Sequence, residues 1–336
     1  MATTTAPLPP GPTPPATPSA RTGPGRPGLV VAAMSTTILL WASAFIGIRA
    51  VAHDLDPGPL TLGRVAVGTL TLTVLVGIAR HRRRTHGRPA ARLPRGRALA
   101  LVAVWGVAWF GGYNMALNAA EQHLDAGTTS MLINLAPVLI AVLAGLLLGE
   151  GFPRRLLTGM AVALAGVVLI AVATSNGRFD AAGVALALVA ALLYAGSAVL
   201  QKRILPGLDA LTMTWLGCAA GTLAALPFLP ALLDQLAAAP APVVAGVVYL
   251  GVFPTAIAFS TWGYVLARTD AGRTAASAYA IPPLTVLLSW ILLDEVPPPV
   301  ALAGGALALA GVAVATLPRR ARRAGSSGTR RPTAPA

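Results

Sequence analysis

The chain has 336 residues, of which 55% are hydrophobic and 11% charged, with a formal net charge of +14. A soluble domain carries about 25% charged residues, so this chain cannot clothe a water-facing surface, and a disordered chain would not be this apolar. The single cysteine, Cys218, excludes an intramolecular disulfide and a cysteine-based zinc or iron–sulfur centre.

Residues 1–28 are mostly Pro, Thr, Ala and Gly and have no apolar period, which predicts a disordered N-terminal tail. A signal peptide is not expected, because the basic and apolar regions come only after this tail and no cleavage site is evident. From Leu29, ten apolar runs follow, at about 29–51, 59–79, 98–119, 126–149, 154–173, 181–201, 209–230, 241–266, 272–293 and 299–317. Each has about the 20-residue length at which a helix crosses a 30 Å hydrocarbon core. Backbone polar groups in lipid must be bonded within the segment. The runs therefore predict an all-α membrane protein of ten transmembrane helices. They are too long and continuous for barrel strands. A basic tail at 318–336, also expected to be disordered, ends the sequence.

The charges set the expected orientation. With the N-terminus inside, 22 of the 25 basic residues fall on inner segments. These are Arg21 and Arg26, the eight arginines from Arg80 to Arg97, Arg154 and Arg155, Lys202 and Arg203, Arg268 and Arg273, and six in the tail. Arg178 alone falls on an outer loop, and Arg49 and Arg64 lie within runs. The positive-inside rule then predicts a multi-pass protein of the cytoplasmic membrane with both termini cytoplasmic. The basic charge meets the anionic lipid bilayer. No aromatic-interleaved basic face accompanies it, so no nucleic-acid partner is expected.

The sequence is written twice. Shifted by 145, DAGTTS at 125–130 lies over DAGRTA at 270–275, Pro137 over Pro282, LLLGE at 146–150 over ILLDE at 291–295, and GMAVALAGV at 159–167 over GGALALAGV at 304–312. Earlier portions align with a shift of 153, LLWAS at 39–43 over LLYAG at 192–196. The eight-residue difference is absorbed by the longer arginine loop between runs 2 and 3. The two copies, 29–173 and 181–317, hold five spans each. Five is odd, so the second copy enters the membrane upside down, which is a sequence signature of secondary transporters.

These residues also resemble a known family, the bacterial EamA-type transporters of the drug/metabolite transporter superfamily. The resemblance covers about 29–317. It rests on WASAF at 41–45, PLTLGR at 59–64, the block Pro137…LLLGE…G…GV, the run YLGVFPTAIAFSTWGYVLAR at 249–268, and Pro282…LLDE…G…GV. It implies a ten-helix transporter with a central cavity lined by spans 1, 3, 4, 6, 8 and 9. It also implies export or exchange of small metabolites, often amino acids. A multidrug efflux transporter of the same superfamily, or a non-transporting membrane sensor or accessory protein, are the alternatives. The superfamily includes dimers of single repeats, while a fused duplicate can act alone, so both a monomer and a homodimer fit.

Arg64 sits about five residues into run 2, where a charge is expensive and marks a functional hypothesis. It is either a handle for a substrate carboxylate or a side chain that snorkels to the headgroups or braces a neighbouring helix. The other pocket candidates are polar or aromatic residues near midspan. Asn134 and Tyr279 are repeat mates, each three residues before the helix-kinking prolines Pro137 and Pro282. Those prolines free the carbonyls of Ile133 and Ala278. Trp41 and Tyr194 are also mates. Tyr113 and Asn114 follow Gly111-Gly112, a flexible spot in run 3, and Trp262 lies in the matching run 8. Small residues at Gly159, Ala163 and Gly166, repeated at Gly304, Ala308 and Gly311, predict close helix packing.

Glu150 and Glu295 begin tight turns, where a cap or ion pair is expected. No carboxylate lies midspan; the nearest titratable groups are His123, Asp125 and Glu150 at run ends, which favours facilitated or exchange-type transport over a midspan proton relay. No Walker loop, GxSxG or HExxH occurs, and no catalytic residue, cofactor or metal site is expected.

Overall fold

The structure is a computed structural model, and it describes residues 27–87, 93–123, 129, 132–174, 180–293, 296 and 298–316. The basic tail, all but the last two residues of the N-terminal tail, Asp125, Arg178 and Glu295 lie outside the described residues, as does the side chain of Arg49. Pro27 and Gly28, expected in the tail, begin the first helix.

All regular structure among the described residues is helical. In chain order the segments are α1 (Pro27–Val51), α2 (Pro57–Thr85), α3 (Arg97–His123), α4 (Ala136–Leu147), α5 (Arg154–Thr174), α6 (Ala181–Ile204), α7 (Ala210–Ala238), α8 (Ala241–Leu266), α9 (Ala271–Leu292) and α10 (Pro299–Thr316). Among the described residues, α1–α3 and α6–α10, eight segments, are long and apolar enough to cross a membrane. The surface agrees with lipid as solvent. Leu70, Val172, Leu192 and Leu223 are exposed, while Thr37, Asn114, Gln201 and Thr214 are buried.

Local chemistry sets the ends. Asp180 caps α6 by accepting the N–H of Ala182 at 2.8 Å, and Asp209 caps α7 by accepting that of Thr212 at 3.2 Å. Gly149 and Gly151 take left-handed φ values of 71° and 70°, which reverses the chain around Glu150. Several expected boundaries move: α3 reaches His123 rather than 119, and the regular helix α4 covers only Ala136–Leu147 of the run 126–149. α2 runs on past 79 to Thr85, because its arginines are good helix formers. α7 continues past 230 to Ala238 through a tight turn at Leu226–Phe228. Pro227 and Pro230 stand at first-turn positions, where proline loses no hydrogen bond.

The interior of α3 and that of α8 each widen into one π-helical stretch, at Val107–Tyr113 and Gly251–Ile257. A wider turn leaves carbonyls short of donors. Asn114 Nδ2 donates to the carbonyls of Trp109 (3.2 Å) and Phe110 (3.0 Å), and Thr255 Oγ1 to that of Leu250 (2.8 Å). The flexible spot expected at Gly111-Gly112 is this stretch.

Packing relies on small residues, since lipid offers no hydrophobic drive between helices. α5 and α10 form the most intimate pair. A Cβ on Gly159 would lie 2.7 Å from the Gly311 carbonyl oxygen, and one on Gly166 2.5 Å from that of Gly304. The expected small-residue stripe is therefore a backbone-to-backbone seam. α2 and α7 pair through Thr69 and Thr222, whose hydroxyls meet at 2.9 Å. α1 packs on α8 and α9, and α6 packs on α3 and α4.

Candidate functional site

Between these layers lies a cavity of about 80 Å³, room for about half a dozen waters at 10–15 Å³ each. Its lining comes from α1, α2, α3, α4, α6, α8 and α9, in the half of the bundle nearer the α1–α2 connection. One wall is aromatic: Trp41, Trp109, Tyr113, Tyr194 and Phe259. Trp41 meets Phe259 edge-on at 5.2 Å between centroids, and Trp109 meets Tyr194 at 5.5 Å. Trp41 Nε1 donates to the carbonyl of Pro254 at 3.2 Å, which fixes the ring. Such rings offer an apolar face and an attraction for cations.

The other wall is polar. Arg64, Asn114 and Asn134 line the same cavity. Arg64 is only 4% exposed, and its Nε donates to Thr255 Oγ1 at 3.3 Å. It does not snorkel; it points inward from α2. Thr255 is held in turn by the π-helical stretch of α8, so that irregular stretch positions the guanidinium. Pro137 lines the cavity, as do Ile133 and Ala278, the residues whose carbonyls the two prolines were expected to free.

The structure thus brings together Trp41, Arg64, Tyr113, Asn114, Asn134, Tyr194 and Pro137. It places three expected residues elsewhere. Trp262 is fully buried beneath the cavity, 5.1 Å from Trp41, and donates to Gln201 Oε1 at 3.1 Å. Tyr279 is fully buried in a cluster with Ala141, Met160, Ala163 and Ala308, between α4, α5 and α10. Pro282 is buried and absent from the lining. Mean depth along a run cannot give the helix face, which explains all three. Three lining aromatics were missed, Phe45, Trp109 and Phe259. The signal for Trp109 was the aromatic run WFGGY at 109–113; its repeat mate is Pro254, so comparison of the copies passed over it.

At the opposite end, side chain–backbone bonds tie the helices together. Lys202 Nζ donates to the carbonyls of Leu266, at 2.6 Å, and Thr269, tying α6 to the end of α8. Arg203 Nη2 donates to the Leu147 carbonyl at 2.7 Å, tying α6 to α4. Glu150 accepts the N–H groups of Ala271 (2.8 Å) and Gly272 (3.1 Å). It is a cap as expected, but of α9 rather than of its own turn, and its charge suits that helix N-terminus. At the cavity end, His123 Nδ1 and Asp180 Oδ2 meet at 2.9 Å. The His123 bond first, and the Ala182 N–H second, hold the Asp180 carboxyl below the usual carboxylate range. Among the described residues no cluster of three or more His, Cys, Asp or Glu is arranged to hold a metal.

Comparison with known proteins converges on one family. The EamA-like transporter family matches residues 28–172 and again 181–317. A probable terminal-alkyne amino-acid exporter of Streptantibioticus cattleyicolor is 37% identical over 301 residues, covering 89% of this chain and 97% of that protein. An uncharacterized transporter of Bacillus subtilis, YdfC, is 30% identical, covering 83% of this chain and 88% of its own length. A probable amino-acid metabolite efflux pump of Salmonella typhimurium is 24% identical over 85% of this chain and 94% of its own. A solved crystal structure shares the fold, with a TM-score of 0.68 at 24% identity, covering 87% of this chain and 97% of that one. With two family matches spanning nearly all of the helices, the chain belongs to the EamA-like transporter family, and it is a membrane transporter, not an enzyme.

Proposed function

We propose that this protein exports small amino acids or related zwitterions across the cytoplasmic membrane by alternating access. In this reading it has ten spans, two inverted five-helix repeats at 29–173 and 181–317, and both termini in the cytoplasm. The observation that carries the reading is the make-up of the cavity. Three pairs of repeat mates line it together: Trp41 with Tyr194, Asn114 with Phe259, and Ile133 with Ala278. A site to which both copies contribute the same positions straddles the axis relating them, and such a site faces either side when the copies exchange conformations.

The contacts outside the cavity support the same symmetry. Thr69 and Thr222 are mates and bond to each other. A Cβ on Gly68 would lie 3.3 Å from the Gly251 carbonyl oxygen, and one on its mate Gly221 would lie 3.3 Å from that of Gly106, the mate of Gly251. With the basic loops inside, the cavity lies in the outer half and the Lys202–Glu150 seal in the inner half, which makes this the outward-facing state.

Arg64 supports a carboxylate on the substrate. A buried guanidinium presents a planar fork that matches a carboxylate, and the aromatic wall suits an ammonium or a short apolar side chain. A cationic drug would meet Arg64 as a like charge. The relatives named for amino-acid or amino-acid-metabolite export favour the same class. One chain completes the cavity, so a monomer suffices. The test is efflux of L-propargylglycine, a small terminal-alkyne amino acid, from preloaded cells. Expression is expected to accelerate its loss; a rate equal to that of cells without the protein would refute the reading.

A further inference from the structure

We propose that Ser197 and Gln201 of α6, with Tyr279 of α9, form a loading subsite for the substrate carboxylate in a second cavity that opens at the Glu150 end. The proposal rests on the alternating-access reading above and deepens it.

Exchange of the two repeats maps the open cavity onto a set of residues now closed. Trp41, Ala44 and Ile48 line the open cavity along one face of α1. Their mates are Tyr194, Ser197 and Gln201, along one face of α6. Leu117 and Asn134 also line it, and their mates are Trp262 and Tyr279. Ser197 is 3% exposed, and Gln201, Trp262 and Tyr279 are 0% exposed.

These closed residues carry an unusual load of unsatisfied polar atoms. Ser197 Oγ, Gln201 Nε2 and Tyr279 Oη are buried without a hydrogen-bond partner among the described residues, as is Oη of Tyr194, which the open cavity also touches. The orientation of Gln201 is fixed by chemistry: Trp262 Nε1 can only donate, so the amide oxygen faces it at 3.1 Å and the amide hydrogens face away. A buried donor without a partner is costly. Three on the closed residues that the repeat exchange selects are the mark of a surface that meets its partner in another state. Hydroxyls and an amide NH₂ are donors, and together they suit a carboxylate.

The two cavities then differ in chemistry. At the equivalent open positions, Ala44 and Ile48 are apolar and Arg64 supplies the charge, while its mate is Gly217. The carboxylate passes from neutral donors on the inner side to a fixed cation on the outer side.

The experiment has two arms. In the first, Ser197→Cys is placed in a Cys218→Ala background and treated with a membrane-impermeant maleimide. Labelling is expected in inside-out membrane vesicles and not in right-side-out vesicles, with protection by L-propargylglycine. Labelling from neither face, or only from the outer face, would overturn the proposal, whether or not the wild type transports. In the second arm, Ser197→Ala and Gln201→Leu are assayed for L-propargylglycine uptake into inside-out vesicles and for exchange in right-side-out vesicles. One lost hydrogen bond to a charged group predicts a roughly tenfold rise in half-saturation at the inner face, with less than a twofold change at the outer face. Equal rises at both faces, or none, would overturn it. Ser197→Ala removes only an unpaired hydroxyl, so its thermal stability is expected to match the wild type. Absence of wild-type flux would refute the transport reading instead, and the labelling arm would still decide this one.

Discussion

Replacing Arg64 by Ala separates a substrate handle from a structural brace. The side chain is 4% exposed, and its Nε donates to Thr255 Oγ1 at 3.3 Å. A hydrogen bond between a charged pair contributes about 1.5–3 kcal/mol. At 1.4 kcal/mol per tenfold, losing it from the bound substrate raises half-saturation about 10- to 100-fold. The lost Thr255 bond also has a charged donor and costs folding about 1.5–3 kcal/mol at most, but its 3.3 Å length weakens it and removal of a buried charge offsets part of it. The assay is L-propargylglycine exchange in proteoliposomes, normalised to folded protein by size-exclusion chromatography. A second ligand closes the cycle: the corresponding amine, lacking the carboxylate, is expected to bind the wild type poorly and to be indifferent to Arg64→Ala. Equal transport per folded molecule, or an equal effect on both ligands, would refute the carboxylate handle. Arg64→Lys keeps the charge but not the planar fork, and an intermediate value is expected.

The remaining predictions concern the scaffold. Gly166→Ala would press a methyl to 2.5 Å from the Gly304 carbonyl; overpacking predicts a loss of about 1–3 kcal/mol, read as a lower melting temperature. Gly196→Ala has nothing within 4 Å and is expected to be neutral or to stabilise by up to about 1 kcal/mol through helix propensity. Glu150→Ala leaves the Ala271 and Gly272 N–H groups without their carboxylate, so maleimide labelling of Ser197→Cys in inside-out vesicles is expected to rise; an unchanged rate would refute the seal. Asp180 is held below the ordinary carboxylate range by His123 and the Ala182 N–H. A depressed carboxyl stabilises the fold above its unfolded value, about 4, and that contribution is lost as pH falls through the folded value. The melting-temperature gap between the wild type and Asp180→Asn is therefore expected at pH 5 and to shrink steadily as pH falls below about 4; a gap that stays constant as pH falls would refute the attribution.

The spans were legible in the amino-acid sequence because lipid is the solvent. Twenty-residue apolar runs can satisfy their backbone there only as helices, so α1, α6 and α8 fell close to where the runs predicted. The small-residue stripes of α5 and α10 were legible because only Gly and Ala admit backbone contact. Arg64 stood out by its cost in a span, and it lines the cavity. What stayed hidden depends on helix face and on long-range packing. Trp262 and Tyr279 sit at the right depth but are fully buried away from the cavity lining. The cap of α9 by Glu150 joins residues more than a hundred positions apart, and no local pattern announces it. The π-helical stretches hold Gly111-Gly112 and Pro254, yet those residues equally suit a simple kink, and only the packing decides.

The most direct test of alternating access is counterflow of L-propargylglycine in proteoliposomes of the purified wild-type protein. Saturable accumulation of labelled substrate against an unlabelled internal pool, strongly reduced by Arg64→Ala, is the predicted result. Accumulation no greater than in protein-free vesicles would contradict it.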